Sequence, residues 1–352
     1  MIVEQFLPAL HDGDAVGGST LALHRFLSER SIDSRIVAMT IDPSLADAAT
    51  PFADYRETAG AIKILHFAIP SPLTDFFERV AGPRVMIYHN VTPPEFFADF
   101  SPDLTRFVAG GRDHLRRLAG HFDLCLADSG YNADELRALG YGQVEVFPIQ
   151  LDLDRYAAPP CADFLRLIRD DRRNIVFIGR VSPNKRIEDL VKVLFFYKKY
   201  LSPAVRLIVA GNTRTLPSYF LAVRDLASRF LLTADDLLFT HHLPFAELLA
   251  VYHSADLFLS MSEHEGFCLP LIESMALDVP VLAFAAGAVP ETLGGAGILF
   301  HDKAPDRVAA LAEQIIETPA LAESLRRRGR ERIVRYRQEA DPARLLPLLE
   351  RL

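Results

Sequence analysis

Short apolar runs alternate with amphipathic stretches along almost the whole chain, and no other feature restricts its fold as sharply. Residues 2–6, 35–39, 62–67, 84–88, 124–127 and 144–147 read as strands, and helical periodicity at 19–30, 72–81, 104–118 and 133–139 falls between them. A second series follows, with strands at 175–178, 205–209, 237–239, 257–260, 279–284 and 298–300 and helices at 187–198, 216–229, 245–252 and 268–276. Strand, helix, strand repeated in this way predicts a parallel sheet covered on both faces. The stretch 148–160, closed by Pro159-Pro160, reads as the linker. The 352 residues, half of them hydrophobic, therefore predict two doubly wound α/β domains, 1–155 and 156–337. They also predict a ligand cleft between the two, since ligands of such sheets collect at the carboxyl ends of the strands.

A formal net charge of −8 speaks against a nucleic-acid partner held by phosphate neutralisation. The three cysteines, Cys125, Cys161 and Cys268, have no paired spacing, which predicts a reducing compartment without disulfides or a zinc site. The start of the chain lacks a basic leader, and no run reaches the ~18 apolar residues of a spanning helix. The expectation is a cytoplasmic protein that touches a membrane only peripherally, through Arg112, Arg116 and Arg117 on an amphipathic segment, or not at all if these form a solvated face. The Asp-x-Asp triplets at 12–14 and 152–154 have no third carboxylate nearby and read as a turn and part of the linker, so no metal is assigned.

The stretch 262–280, SEHEGFCLPLIESMALDVP, holds the densest chemistry. Leu269, Ile272 and Ala276 recur at helical spacing, so a loop enters a helix near Cys268, and the N–H groups of Gly266, Phe267, Cys268 and Leu269 would face an anion at its positive end. Glu265 stands in that loop, and Glu273 lies two turns down an otherwise core-like helix. A buried carboxylate needs donors, and sugar hydroxyls supply charge-assisted bonds worth about 1.5–3 kcal/mol each. The pattern fits a phosphate between two polyols; a surface glutamate and a capping glutamate would look the same from the two acids alone.

Other segments bear on the choice. In NIVFIGRVSPNKRIEDLV, Arg180 leaves a strand end and Lys185 follows five positions later, two cations suited to a diphosphate leaving group. Gly17-Gly18 precede the first helix, where small residues would let backbone approach a pyrophosphate or would simply make a turn; the segment is neither Gly-x-Gly-x-x-Gly nor a Walker A loop. His89 ends a strand, placed either to meet a sugar hydroxyl or to be satisfied within the core. Asp128-Ser129-Gly130 end the next strand and line the acceptor side or cap a helix. The arginine-rich run 326–337 reads as a solvated helix face.

Taken together, Glu265-x7-Glu273, Gly179-Arg180 with Lys185, and the Gly17-Gly18 loop resemble the retaining glycosyltransferases of family 4. The likeness is closest over 174–300; in the first domain, VEQFLPALHDGDAVGG and YHNVTPPEFF look like certain polysaccharide-assembly members. The resemblance implies the GT-B fold, two Rossmann-like domains facing a cleft, with the last residues, about 338–352, packing back on the first. It also implies that Glu265 contacts the donor sugar with backbone of Gly266, Phe267, Cys268 and Leu269, and that Glu273 takes the ribose. Arg180 and Lys185 grip the diphosphate, His242 and Leu243 clamp the base, Gly17 and Gly18 close over the phosphates, and His89 approaches the sugar. Cys268 and Asp278 stand where the family commonly has glycine, which leaves the turn at Asp278 open.

The implied activity is metal-independent transfer of a hexose, mannose from GDP-mannose first and a UDP-sugar next, to a hydroxyl of a growing glycan or lipid-linked acceptor. No cofactor is implied beyond the nucleotide-sugar substrate, whose product is GDP or UDP. A nucleotide-sugar epimerase or phosphorylase of the same fold, and a non-catalytic nucleotide-sugar-binding subunit, are the alternatives. A glycoside hydrolase is disfavoured, because Glu265 and Glu273 are expected at opposite ends of one donor and not across one glycosidic bond.

Overall fold

The computed structural model describes residues 1–11 and 13–352; Asp12, one member of the first Asp-x-Asp triplet, lies outside them. The chain forms two compact units: Met1–Glu95 with Asp103–Asp152 and Tyr336–Leu352, and Phe96–Pro102 with Leu153–Arg335.

In the first unit the strands are β1 (Ile2–Leu10), β2 (Asp33–Ile41), β3 (Thr50–Pro51), β4 (Ile62–Phe67), β5 (Arg84–Tyr88), β6 (Leu124–Ala127) and β7 (Val144–Val146), in the order β3-β2-β1-β4-β5-β6-β7. Every pairing is parallel. All six residues of β4 are buried, as expected of a strand covered on both faces. One of those faces carries Val3, Ile62, Ile64, Val85, Ile87, Leu124 and Leu126, packed with Leu23, Phe26 and Leu27 of helix Ala15–Glu29 and with Leu345 and Leu349 from the end of the chain. Each such aliphatic side chain contributes about 1.5–3 kcal/mol on burial.

The first strand runs four residues beyond the expected 2–6 and includes Pro8. A proline lacks the ladder N–H and is tolerated where one side of the strand is unpaired. Beyond Phe6, β1 pairs only with β2, which leaves that side open.

The second unit contains β8 (Arg173–Ile178), β9 (Val205–Ala210), β10 (Leu237–His241), β11 (Leu257–Ser260), β12 (Val281–Phe284) and β13 (Ile298–Phe300), in the order β10-β9-β8-β11-β12-β13, again all parallel. The order reverses direction at β8/β11, which is where doubly wound sheets bind ligands. Phe96–Pro102, expected in the first domain, belongs to this unit: the Phe100 ring meets Tyr219 edge-on at 5.1 Å, and the Ser218 hydroxyl donates to the Phe100 carbonyl at 2.9 Å.

One expectation about an arginine needs correction. Arg332, within the run read as solvated, is buried in helix Pro319–Glu339 and donates to the Thr292 carbonyl at 3.0 Å. Arg112, Arg116 and Arg117 are each ion-paired inside the first unit, with Glu135, Asp113, and Asp75 plus Glu78 respectively. Among the described residues no helix is long and apolar enough to cross a membrane.

Candidate functional site

The second unit brings its charged residues together at the switch point. Gly179 and Arg180 follow β8, and Gly211 follows β9 so closely that a Cβ there would lie 2.0 Å from the Gly179 carbonyl oxygen. Val181 N–H donates to the Asn212 carbonyl at 2.9 Å, which ties the two loops. The chain then makes a short 3-10 turn, Pro183–Lys185, and Arg186 takes φ 54° before helix Ile187–Tyr200.

Asn184 latches this turn to the loop after β11. Its carbonyl accepts from Glu263 N–H at 2.8 Å, its amide donates to the His264 carbonyl at 3.2 Å, and its Oδ1 accepts from Ser182 at 2.8 Å. A charged net reinforces the latch. Lys303 bridges Glu263 at 2.9 Å and Asp189 at 3.2 Å, and Asp189 also meets Arg186 and Lys192. Burial alone would raise the Asp189 carboxyl, but Lys192, Arg186 and Lys303 hold it down to about 2.

The latch sets Lys185 Nζ 2.6 Å from Glu265 Oε2, both largely buried. Glu265 is fixed from behind as well, since its carbonyl accepts from Ala288 N–H at 3.0 Å. Arg180 is exposed on the neighbouring strand end, and its side chain makes no ion pair or hydrogen bond among the described residues. Helix Leu269–Ala276 begins where the sequence predicts, with Cys268 as the residue before it at φ 70°. Burial, with Glu265 beside it, pushes the Cys268 thiol well up, so it is no thiolate nucleophile at neutral pH. Asp278 also adopts φ 56°, so the turn that commonly uses glycine is kept; Asp tolerates this region, and Arg330 pairs with it at 2.9 Å.

Glu273 is buried and already has donors. Tyr156 OH donates to one oxygen at 2.6 Å and Tyr252 OH to the other. Burial raises its carboxyl even so, against the pull of the two tyrosines. A raised folded-state value means that this group stabilises the fold below its ordinary 4.5 and loses that contribution as pH rises through the folded value. Tyr252→Phe would leave a buried carboxylate short of one donor and is expected to lower stability by about 1.5–3 kcal/mol in urea unfolding. An unchanged midpoint would show that Glu273 does not depend on it.

His242 is exposed and Leu243 half-buried in the loop after β10. The preceding His241, at φ 60°, shares a 2.6 Å hydrogen bond with Thr213 and lines an apolar cavity of about 350 Å³ with Thr213, Arg214, Pro217 and Phe220.

In the first unit, Gly17 and Gly18 are not a turn before a helix. They lie in the first turn of helix Ala15–Glu29, capped by Asp14, whose carboxylate accepts from Gly17 N–H at 3.1 Å. A Cβ at Gly17 would meet the His11 carbonyl at 3.2 Å, whereas Gly18 faces open space. His89 follows β5, but both ring nitrogens are engaged: Nδ1 with Asp128 at 2.9 Å and Nε2 with His66 Nδ1 at 3.0 Å. Asp128 is thus bound to His89, while Ser129 caps helix Gly130–Ala138.

Residues 163–332 match the family model of glycosyl transferases group 1. Over 264 residues the chain is 27% identical to a GDP-mannose-dependent alpha-mannosyltransferase of Mycobacterium tuberculosis, covering 71% of this chain and 65% of that protein, just under two thirds of its length. It is 26% identical over 343 residues to the GDP-mannose-dependent alpha-(1-6)-phosphatidylinositol monomannoside mannosyltransferase of the same species, covering 86% of each. Among solved structures, sucrose-phosphate synthase from Thermosynechococcus elongatus superposes with a TM-score of 0.77 at 18% identity, covering 100% of this chain and 98% of that one. Anabaena HepE in complex with UDP and glucose gives 0.74 at 15%, covering both chains fully. The fold is GT-B. The glycosyl transferases group 1 match covers just under half of the chain, and these two relatives are mannosyltransferases at 26–27% identity.

Asn184, Lys303, Tyr156, Tyr252 and the Gly287-Ala288 backbone escaped the sequence reading. Only Asn184, beside Lys185 in SPNK, carried a local signal; the others reach the site from distant parts of the chain.

Proposed function

We propose that this chain is a retaining glycosyltransferase that moves a hexose, mannose from GDP-mannose, onto a hydroxyl of a growing glycan or lipid-linked acceptor. The observation that carries the reading is the Lys185–Glu265 pair, latched at the switch point of the family-matched unit with Arg180, unpaired among the described residues, on the adjoining strand end. Lys185 and Arg180 would neutralise the diphosphate as the sugar–phosphate bond breaks, the largest single contribution in such chemistry. Glu265 would hold sugar hydroxyls with the backbone of Gly266, Phe267, Cys268 and Leu269. The acceptor hydroxyl would attack from the face the phosphate leaves, its proton passing to that phosphate, with no protein nucleophile and no divalent ion.

Glu273 would take the ribose with the lone pairs that Tyr156 and Tyr252 leave over. The loop at His242 and Leu243, beside the apolar cavity, would seat the base. Gly17, Gly18 and His89 are the members of the proposed set that lie in the first unit, where both ring nitrogens of His89 are engaged. The names of the relatives favour guanine and mannose.

A thermal-shift series with GDP, UDP and ADP tests the donor class. At 100 times its dissociation constant a nucleotide stabilises by about 2.7 kcal/mol, so GDP alone is expected to raise the melting temperature by several degrees. A rise with UDP alone would overturn the GDP assignment, and no rise with any nucleotide would overturn the nucleotide-sugar reading.

A further inference from the structure

Along four adjoining strands of the first sheet, β1, β4, β5 and β6, one polar side chain each joins a buried row on the face covered by helix Ala15–Glu29, from within β1 and β4 and from the residues just past β5 and β6. Gln5 Nε2 donates to the Thr20 carbonyl at 3.3 Å, which turns Gln5 Oε1 toward His66 Nε2 at 3.0 Å. His66 Nδ1 lies 3.0 Å from His89 Nε2, the two rings parallel within 2°. His89 Nδ1 faces both Asp128 oxygens, at 2.9 and 3.1 Å. Flipping the Gln5 amide would set its oxygen against the Thr20 carbonyl, so Gln5 presents an acceptor to His66.

The row therefore runs between two acceptors, Gln5 Oε1 and the Asp128 carboxylate, through three contacts that each need one proton. Two neutral imidazoles supply only two, because a neutral ring is a donor at one nitrogen and an acceptor at the other. A third proton is required. It can sit on a ring or on Asp128, and an imidazole is the stronger base by more than two pH units in ordinary peptides.

We propose that His89 is a buried imidazolium, donating one N–H to Asp128 and the other to neutral His66, which in turn donates to Gln5. The cluster is then neutral overall, which removes the cost of an uncompensated buried charge. Burial and the neighbouring His89 push His66 well below the usual imidazole range, which agrees with a neutral His66 beside a charged partner. The nearby charges on the packed elements are engaged elsewhere among the described residues. Glu4 and Lys63 point to the opposite sheet face, bonded to Tyr55 and to the Ala81 carbonyl. Glu135 is paired with Arg112, and on the covering helix His24 meets Ser34 and Arg25 meets Asp152. His66 and Asp128 are thus positioning residues that hold a fixed positive charge at the carboxyl end of β5. Its use in transfer rests on the function proposed above; its existence does not.

The test is ¹⁵N NMR of the full chain labelled at its eleven histidines, with His89→Asn and His66→Gln used to assign the two rings. At pH 7.5 the expected spectrum shows His89 protonated on both nitrogens and His66 on Nε2 alone. A neutral His89 at that pH overturns the proposal. Asp128→Asn is expected to lower the pH at which His89 gives up its second proton by about one unit or more, a tenfold change in affinity. His66→Gln, whose amide offers one acceptor and one donor, should leave that pH in place. An unmoved value in Asp128→Asn also overturns the proposal, and if that variant does not fold the unmodified spectrum decides alone. Absence of sugar transfer with any donor would defeat the functional reading and leave this result standing.

Discussion

Lys185→Ala is expected to lower donor turnover by about 10²–10³-fold, the range seen when one preorganised electrostatic contact to a developing charge is removed. The effect should fall on kcat more than on nucleotide binding, because the charge Lys185 would meet grows as the sugar–phosphate bond breaks. Removing the amine also strands Glu265, whose carboxylate is buried against it at 2.6 Å. Breaking such a pair costs about 3–5 kcal/mol when the remaining charge stays buried, and less where water can enter. The double substitution Lys185→Ala with Glu265→Gln separates the two effects. It should regain stability and not turnover. Turnover within about threefold of the unmodified protein would remove Lys185 from the proposed machinery.

Gly287→Ala has the second large effect, and it acts on folding first. A Cβ at this position would lie 2.4 Å from the Glu265 carbonyl oxygen and 3.1 Å from its nitrogen, on a backbone at φ +55°. The left-handed conformation costs a residue with a Cβ about 1–2 kcal/mol, and forced overpacking adds about 1–3. A loss of about 2–5 kcal/mol in denaturant unfolding is expected, with turnover reduced in whatever protein remains folded, because the clash is with the segment that carries Glu265. Gly18→Ala is the control: nothing lies within 4 Å of its Cβ, it sits in a helix, and it should be neutral or stabilise by up to about 1 kcal/mol. Equal stability of the two variants would show that the Gly287 contact is not tight.

The fold was readable because each half repeats one unit, an apolar strand followed by an amphipathic helix, and that periodicity admits few arrangements. The start of the helix at Leu269 was readable too, from the spacing of Leu269, Ile272 and Ala276. The sequence places the start of helix Ala15–Glu29 too late because Gly17-Gly18 read as a turn, whereas the cap is Asp14, three positions before the N–H it accepts. Hydrogen-bond partners across the sheet were out of reach. Nothing in the sequence around His89 says that His66, twenty-three residues earlier, stands against it, and a buried histidine in an apolar strand looks like ordinary core. The same holds for Tyr156 and Tyr252, whose hydroxyls meet at Glu273 from 117 and 21 residues away. Arg332 reads as solvated in the sequence because helical spacing tells which residues share a face, not which face is covered.

The last residues of the chain have a bearing on how the protein is made. Leu345 and Leu349 complete a core whose other members come from the first 147 residues. That core cannot close until Leu345 and Leu349 have been synthesised, whereas the residues of the second unit, ending at Arg335, come earlier in the chain. The half whose synthesis begins first is thus closed after the other, and until Leu345 and Leu349 arrive its apolar face is open to chaperones and to neighbouring nascent chains.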